Sequence, residues 1–156
     1  MRVRPAAPGD RDFVLGLSPR FAEFELPPWR SHDDVVEGTR RRLAEAFDAT
    51  TDRSTFVIAE NEDGERLGFA WLMLVDDFYT GRDAAKISEI AVLRDGTGAG
   101  SALMRAADEY ARGHGCRLAV LNVMEGNARA RAFYRRHGFD AEYTLMAKRV
   151  DGAEKS

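Results

Sequence analysis

Residues 86–103 read KISEIAVLRDGTGAGSAL, and this stretch decides the fold. Its first half is apolar and β-branched, which predicts a strand from Lys86 to Leu93. Three glycines then occur within five residues, at Gly96, Gly98 and Gly100. After the glycines, apolar residues recur at helical spacing, which predicts a helix. A helix N-terminus has unpaired N–H groups and glycines let a phosphate approach them closely, so the stretch predicts an anion-binding turn.

The glycine turn does not match two common nucleotide-binding motifs. A Walker A loop ends in Gly-Lys-Ser/Thr, but Gly100 is followed here by Ser101 and Ala102. A dinucleotide oxidoreductase would need G-x-G-x-x-G and an acidic residue about 20 positions further on. The strand predicted at Leu118 to Val123 ends in Asn-Val instead. The simplest alternative to an anion-binding site is a tight turn in which the glycines serve only to adopt positive φ.

The element order around this stretch predicts one mixed domain. The periodicity gives β-α-α-β-β-β-α-β-α-β, and three consecutive strands argue against a purely parallel sheet. The β-α-β unit over residues 86–123 requires one parallel pair. The last strand is predicted from Ala141 to Lys148. We therefore expect a single α+β domain over residues 1–150 and a polar tail over residues 151–156.

Local signals delimit the first helices. Asp10 is a candidate N-cap, and apolar residues at helical spacing are interrupted by Pro19, which predicts two short helices or one kinked helix ending before Leu26. Ser31 followed by Asp34 resembles a capping box and predicts a further helix through Phe47.

Composition excludes several classes of protein. The chain has 156 residues, one cysteine, three histidines and a net charge of −3. These numbers exclude an internal disulfide and disfavour a zinc cluster or general attraction to nucleic acid. The longest apolar run, residues 68–75, is too short to span a bilayer, and no secretory signal is visible at the N-terminus. We expect a cytoplasmic protein that needs no metal and binds neither membrane nor nucleic acid.

Residues 127–139, NARARAFYRRHGF, carry the most specific motif. They resemble the pattern N-x-x-A-x-x-F-Y-x-x-x-G-F of the GCN5-related N-acetyltransferase (GNAT) superfamily. The stretch from Ile87 to Leu103 is similar to the acetyl-CoA motif of that family. Every fixed position of the second motif matches: Asn127, Ala130, Phe133, Tyr134, Gly138 and Phe139.

The resemblance implies a GNAT-like sheet of about six to seven strands, mostly antiparallel, with about four helices. It also implies transfer of an acetyl group from acetyl-CoA to a primary amine of a small molecule or peptide, by direct attack in a ternary complex. Dimers are common in the family, so a homodimer is expected. A non-catalytic acyl-CoA-binding module of the same fold is the alternative.

The resemblance also implies the cofactor site. The main chain of the strand before the turn would hold the pantetheine, the turn would hold the diphosphate, and the second motif would complete the site. The residues concerned are Ile90, Ala91, Val92, Gly96, Thr97, Gly98, Ala99, Gly100, Ser101, Asn127, Ala130, Phe133 and Tyr134.

Two residues are the main catalytic candidates. Tyr134 matches the family position of the general acid for the CoA sulfur, although packing of the helix onto the sheet is the alternative. Glu89 alternates with Ile87 and Ala91 in an apolar strand, and partial burial would raise its pKa toward neutrality, as a general base requires. A structural carboxylate that accepts hydrogen bonds is an equal alternative. Weaker candidates for the base are Asp76, Asp77, Tyr79 and His32.

One position departs from the family pattern. The family usually has Arg or Gln three residues before Gly98, and this chain has Asp95. A carboxylate repels a diphosphate, so we expect it to point away or to cap the helix. One or two arginines of the second motif would then meet the phosphates. These arginines are Arg129, Arg131, Arg135 and Arg136.

The acceptor site is expected in two further segments, residues 21–29 and 76–81. Their acidic residues favour a cationic amine, and their aromatic residues would form apolar walls. The residues named for this role are Phe24, Glu25, Trp29, Phe78 and Tyr79.

Overall fold

The structure is a computed structural model that describes residues 1–152. Its sheet has five strands in the order β1-β2-β3-β4-β5. The first four strands pair antiparallel, and β4 and β5 pair parallel, as the β-α-β unit requires. The strands are β1 (Arg2–Pro5), β2 (Ser54–Glu60), β3 (Arg66–Asp76), β4 (Asp83–Val92) and β5 (Ala119–Leu121).

Four α-helices accompany the sheet, so the prediction of a mixed, mostly antiparallel fold with four helices is confirmed. No helix among residues 1–152 is both long enough and apolar enough to cross a membrane. The helices are α1 (Arg11–Gly16), α2 (His32–Asp48), α3 (Ala99–Gly113) and α4 (Ala128–Arg136).

The prediction of a strand from Ala141 to Lys148 is wrong for this chain. These residues are exposed and form no secondary structure, so the sheet has five strands rather than six or seven. The alternation that predicted the strand is present, but a strand exists only where a neighbouring strand pairs with it. Of the predicted polar tail, residues 151 and 152 are exposed. Its remaining residues, 153–156, lie outside the described part of the chain.

The signals at Pro19 and Ser31 are confirmed, whereas Asp10 occupies the N-cap position of α1 but its side chain makes no capping hydrogen bond there. α1 ends at Gly16, and a separate 3-10 turn covers Ser18–Ala22, so Pro19 does divide two short elements. The Ser31 hydroxyl accepts a hydrogen bond from the Asp34 amide at 3.0 Å and caps α2. The asparagine at 127 caps α4 through the Ala130 amide at 3.2 Å.

The helices cover both faces of the sheet. α1 and α2 pack on one face, where Val14, Leu43, Phe56 and Phe69 are buried. α3 packs on the opposite face through its stripe of small and aliphatic residues, which includes Leu103. The sheet is therefore the middle layer, and the ends of its strands remain accessible between the helices.

A buried ion-pair cluster joins the N-terminal strand to the first turn. The Arg4 guanidinium donates to Asp10 Oδ2 at 2.7 Å and to Glu60 Oε2 at 2.8 Å, and Glu60 also accepts from Arg2. The amide of Ala7 donates to Asp10 at 2.7 Å. Hydrogen bonding to Arg4 outweighs burial and holds the pKa of the Asp10 carboxyl below its usual value. The cluster therefore fixes β1 against β2.

Replacing Asp10→Ala should lower the free energy of unfolding by about 3 kcal/mol at pH 7, because it removes one of the two carboxylates that pair with Arg4 and leaves the Ala7 amide without its acceptor. Because the folded pKa of Asp10 is depressed, its stabilisation is present above the unfolded pKa and is lost on acidification. The difference between wild type and variant should therefore shrink toward pH 3. Urea unfolding at several pH values measures this difference in the free energy of unfolding, and Asp12→Ala, at an exposed residue, is the control. Equal losses for the two variants would contradict this prediction.

Candidate active site

The site lies where β4 and β5 diverge. Their parallel pairing covers only Ala85 to Ile87 on β4 and ends opposite Leu121. β4 continues to Val92, and among residues 1–152 no strand pairs with this last part on the β5 side. Backbone groups of residues 88–92 therefore face an open slot at the carboxyl end of the two parallel strands.

A β-bulge coincides with the start of this slot. Trp71 of β3 pairs with Glu89, whereas the next residue, Leu72, pairs with Ile87, so Ser88 is the extra residue of β4. A bulge bends its strand and redirects the side chains beside it. Here it turns β4 away from β5 and presents Glu89 beside the slot.

Glu89 is poorly solvated and only weakly paired. Its side chain is 20% exposed, and its closest cationic neighbour is Arg42 of α2, whose Nη1 lies 3.9 Å from Oε1. Burial raises the pKa of Glu89 to about 7, and the charges of Arg42 and Lys86 only partly oppose this. At neutral pH the carboxyl group thus exists in both protonation states, which suits a group that exchanges protons.

Arg42 is itself held in place. It lies over the Trp71 ring with 5.1 Å between Cζ and the centroid, and its Nη2 donates to Ser88 Oγ at 3.1 Å. The Trp71 indole N–H donates to Ser54 Oγ at 3.0 Å, and its ring stacks on Phe56. These contacts fix the cation at a distance from Glu89 that is longer than a hydrogen bond.

Tyr134 reaches the same slot from α4. Its ring packs edge-on against Phe133 and Phe139. Burial raises the pKa of its hydroxyl to about 12, and the negative charge of Glu89 adds to the shift. The two candidate catalytic groups are therefore within electrostatic reach of each other, and Tyr134 keeps its proton at neutral pH.

The glycine turn lies at the same end of β4. Gly96 and Gly98 have φ of +79° and +86°, a region that side chains rarely adopt, so glycine is needed at both. The Thr97 hydroxyl accepts from the Ala99 amide at 3.3 Å. Directly after the turn, α3 begins at Ala99 and points its N-terminus toward the slot. The turn thus has the geometry of an anion-binding site.

α4 packs closely on the start of α3. A Cβ at Gly100 would lie 3.1 Å from Phe133 Cζ, so the third glycine lets the aromatic ring approach the helix backbone. Ser101 Oγ and His137 Nε2 lie 3.3 Å apart and join the same two helices. These contacts bring the glycine turn and the segment 127–139 together at one end of the sheet.

Asp95 neither caps α3 nor points into open solvent. Its Oδ1 accepts from Arg20 Nη2 at 3.2 Å, and its Oδ2 pairs with Arg129 Nη1 at 2.8 Å. Arg20 comes from the turn after α1 and Arg129 from the first turn of α4. The acidic residue therefore gathers two arginines beside the glycine turn.

The segment after α1 also reaches this end of the sheet. Any side chain at Gly126 would collide with the Glu25 carbonyl oxygen, so the chain around Glu25 lies directly on the loop that precedes α4. Arg20 reaches Asp95 from the same segment. Residues 20–25 therefore form one wall beside the slot.

Comparison with known proteins agrees with this geometry. The model of the acetyltransferase (GNAT) family matches residues 19–139, which include the glycine turn, the slot and α4. The chain belongs to the GNAT acetyltransferase family.

Two curated relatives and one solved structure are similar to this GNAT chain. Mycothiol acetyltransferase of Saccharomonospora viridis is 31% identical over 92% of the chain, but the chain spans only 47% of that protein. Aminoglycoside N(6')-acetyltransferase type 1 of Stenotrophomonas maltophilia is 27% identical over 88% of the chain and 85% of its own length. A putative acetyl transferase from Pyrococcus furiosus superposes with a TM-score of 0.75 at 26% identity, covering 96% and 99% of the two chains.

Two residues named for the acceptor site lie elsewhere. Phe78 and Tyr79 are exposed in the loop between β3 and β4, which leaves the sheet at the end opposite the glycine turn. At about 3.3 Å per residue, the start of β4 is roughly 20 Å from Glu89. The structure brings Phe78 and Tyr79 into contact with each other but not with Glu89.

Sequence reasoning missed Arg20, Arg42 and Trp71. The only available signal for Arg42 was its position next to Leu43, the buried residue of α2, in a run of three arginines. A run of charges normally indicates a solvated helix face, so nothing in it singled out Arg42. The pairing of Arg20 with Asp95 joins residues 75 positions apart and has no local signal.

Proposed function

We propose that this GNAT domain, residues 1–150, transfers the acetyl group of acetyl-CoA to a primary amine in a ternary complex, in the cytoplasm. The observation that carries the proposal is the desolvated Glu89 carboxyl within electrostatic reach of the protonated Tyr134 hydroxyl, beside the open edge of β4. One group is suited to accept a proton and the other to donate a hydrogen bond.

The cofactor would lie along the slot. Ile90, Ala91 and Val92 pair with β3, and the backbone groups among them that point to the β5 side would bond the amides of the pantetheine, as another strand would. The N–H groups from Gly96 to Ser101 would bind the diphosphate. Asn127, Ala130 and Phe133 belong to the helix that closes this end. Acetyl-CoA supplies the thioester as a substrate, and no metal is required by the step.

The reaction then balances with groups of this chain. The ionised Glu89 takes a proton from the ammonium group of the acceptor, directly or through water, and the amine nitrogen attacks the thioester carbon. The carbon–sulfur bond breaks and the electron pair leaves with sulfur. As the amide forms, its nitrogen loses a second proton to the departing thiolate, directly or through water, so the products are the amide and the CoA thiol. Tyr134 donates a hydrogen bond to that sulfur. Because a thiolate is less basic than a tyrosinate of pKa about 12, stabilisation suffices and full proton transfer is not needed.

We propose a small cationic amine as acceptor. The names of the mycothiol and aminoglycoside acetyltransferases support a small molecule. In this chain, the wall at residues 20–25 contributes Glu25, with Phe24 beside it and Trp29 following. Phe78 and Tyr79 lie at the opposite end of the sheet and are not part of this wall. A peptide amine is the second acceptor of the same chemistry.

Release of free CoA thiol from acetyl-CoA, followed with a thiol reagent against a panel of polyamines, amino sugars and peptide N-termini, tests the proposal. Amine-dependent release that Glu89→Gln strongly reduces would support it. If the protein binds acetyl-CoA but turns over no amine, the proposal fails in favour of a non-catalytic acyl-CoA-binding module.

The pH profile should identify the base. kcat/KM should rise with pH and level off above the pKa of Glu89, about 7, because only the ionised carboxyl accepts a proton. Glu89→Gln should lower kcat roughly 100-fold and remove this inflection. The exposed Glu109→Gln on α3 is the control. An inflection that persists in Glu89→Gln would assign the base to another residue.

Tyr134→Phe should lower kcat by roughly tenfold or more, because the departing sulfur loses its hydrogen-bond donor, and should leave the Kd of acetyl-CoA nearly unchanged. Steady-state kinetics and calorimetric titration measure the two quantities. Tyr143→Phe removes the hydroxyl of an exposed tyrosine and serves as control. An unchanged kcat in Tyr134→Phe would leave that side chain with a packing role only.

Arg129→Gln should raise the KM of acetyl-CoA about fivefold at low salt, because Asp95 holds this arginine beside the glycine turn, where it would meet the diphosphate. The effect should shrink as salt screens the interaction. Arg135→Gln removes an equally basic side chain from the far end of α4 and should leave KM unchanged. Equal effects of the two variants would argue for a general charge effect.

A further inference from the structure

The Glu89 carboxylate receives no hydrogen bond from the part of the protein that the structure describes, residues 1–152, although the side chain is only 20% exposed. Its nearest cation is Arg42 of α2, whose Nη1 lies 3.9 Å from Oε1, beyond hydrogen-bond distance. A poorly exposed carboxylate beside an arginine commonly forms a direct, hydrogen-bonded ion pair. The gap between these two groups therefore has a structural cause.

Two contacts hold Arg42 at this distance. Its Nη2 donates to Ser88 Oγ at 3.1 Å, and its Cζ lies 5.1 Å from the centroid of the Trp71 ring. Ser88 is the extra residue of the bulge in β4 and directly precedes Glu89. The bulge thus supplies both the carboxyl group and the hydroxyl group that keeps the arginine away from it.

The aromatic ring under Arg42 is itself fixed. The Trp71 indole N–H donates to Ser54 Oγ at 3.0 Å, and the Phe56 ring stacks on the indole with 5.6 Å between the centroids. The attraction between a cation and an aromatic face depends on the cation staying over the ring. A fixed ring therefore limits how far the guanidinium moves.

We propose that Arg42 is a positioning residue for Glu89, one that stabilises the ionised carboxylate through space without occupying its oxygens. Ser88 and Trp71 hold the guanidinium out of hydrogen-bond contact, and both carboxylate oxygens stay available to the acceptor amine. This inference rests on the proposed function, in which Glu89 is the base.

Either of the two other arrangements would disable a base. Without a nearby cation, burial would keep the carboxyl group protonated at neutral pH, and a protonated carboxyl group accepts no proton. In a direct ion pair, the arginine would occupy the oxygens that must accept the proton and would lower the pKa, as Arg4 does at Asp10. A cation held close but out of contact avoids both results.

The other groups that face Glu89 do not replace Arg42. Lys86, on the same strand, also lowers the pKa of Glu89, but its effect is smaller than that of Arg42. Tyr134 of α4 is neutral at pH 7, and Trp71, the neighbour on β3, does not titrate. A change in the pKa of Glu89 after replacement of Arg42 therefore reports on that arginine.

Carbon-13 NMR of protein labelled at the glutamate carboxyl carbons measures the pKa of Glu89 without any substrate, and Glu89→Gln assigns its resonance. Arg42→Gln should raise this pKa, whereas Arg42→Lys should keep it closer to the wild-type value because the charge remains. Ser88→Ala should lower it, because the released guanidinium needs to move only about 1 Å to contact the carboxylate. The Arg42 side chain is 52% exposed and its contact with Ser88 is at the surface, so the variants should keep the wild-type circular dichroism spectrum.

Shifts of opposite sign in Arg42→Gln and Ser88→Ala would support the proposal. Arg41→Gln removes the same charge from the adjacent exposed position of α2 and should leave the pKa of Glu89 unchanged. Equal shifts in Arg41→Gln and Arg42→Gln would overturn the proposal in favour of a general charge effect. It would also be overturned by an unchanged pKa in Arg42→Gln, or by a pKa in Ser88→Ala that stays the same or rises.

Kinetics distinguishes a failure of this inference from a failure of the proposed function. In Arg42→Gln, kcat/KM should fall about fivefold at pH 7 and recover above the raised pKa, because only the ionised fraction of Glu89 is reduced. A loss that persists at high pH would overturn a role through the pKa of Glu89. If the NMR shifts occur but the wild type acetylates no amine, the proposed function fails and the effect of Arg42 on Glu89 stands. If the wild type acetylates amines but the shifts are absent, this inference alone fails.

Discussion

The candidate site depends on the point at which β4 stops pairing with β5. A β-strand uses all its backbone groups inside a sheet, so a ligand can bind its edge only where a neighbour leaves. Pairing ends at Ile87, and the extra residue Ser88 bends β4 at that point. The free edge and the redirected Glu89 therefore follow from one break in the ladder, and the glycine turn lies just beyond the end of β4.

Two poorly exposed carboxyl groups near arginines have pKa values shifted in opposite directions, and the distance from each carboxyl group to its arginine decides the direction. Asp10 accepts from Arg4 at 2.7 Å and from a backbone amide, so hydrogen bonding outweighs burial and its pKa falls. Glu89 has its arginine at 3.9 Å, held there by Trp71 and Ser88, so burial dominates and its pKa rises. The first arrangement stabilises the fold, and the second leaves a carboxyl that can exchange protons near neutral pH.

The sequence predicts a structural feature correctly where that feature depends on residues close together in the chain. The cap at Ser31, the division at Pro19 and the glycine turn each depend on residues a few positions apart, and all are predicted. The partners of Asp95 and Glu89 are not predicted from the sequence. Arg20, Arg129 and Arg42 come from elements that only tertiary packing brings together. The sequence predicts that Asp95 points away from the turn or caps α3, whereas two arginines hold it.

The strand predicted over residues 141–148 shows what alternation can and cannot predict. The alternation measures whether a segment suits a half-buried pleated surface, and this segment does. It carries no information on which edge completes the ladder. Residues 141–148 pair with no strand among residues 1–152, although the outer edge of β5 is unpaired in that part of the chain. The pattern of side chains therefore predicts a strand face, and only the tertiary arrangement decides whether the strand forms.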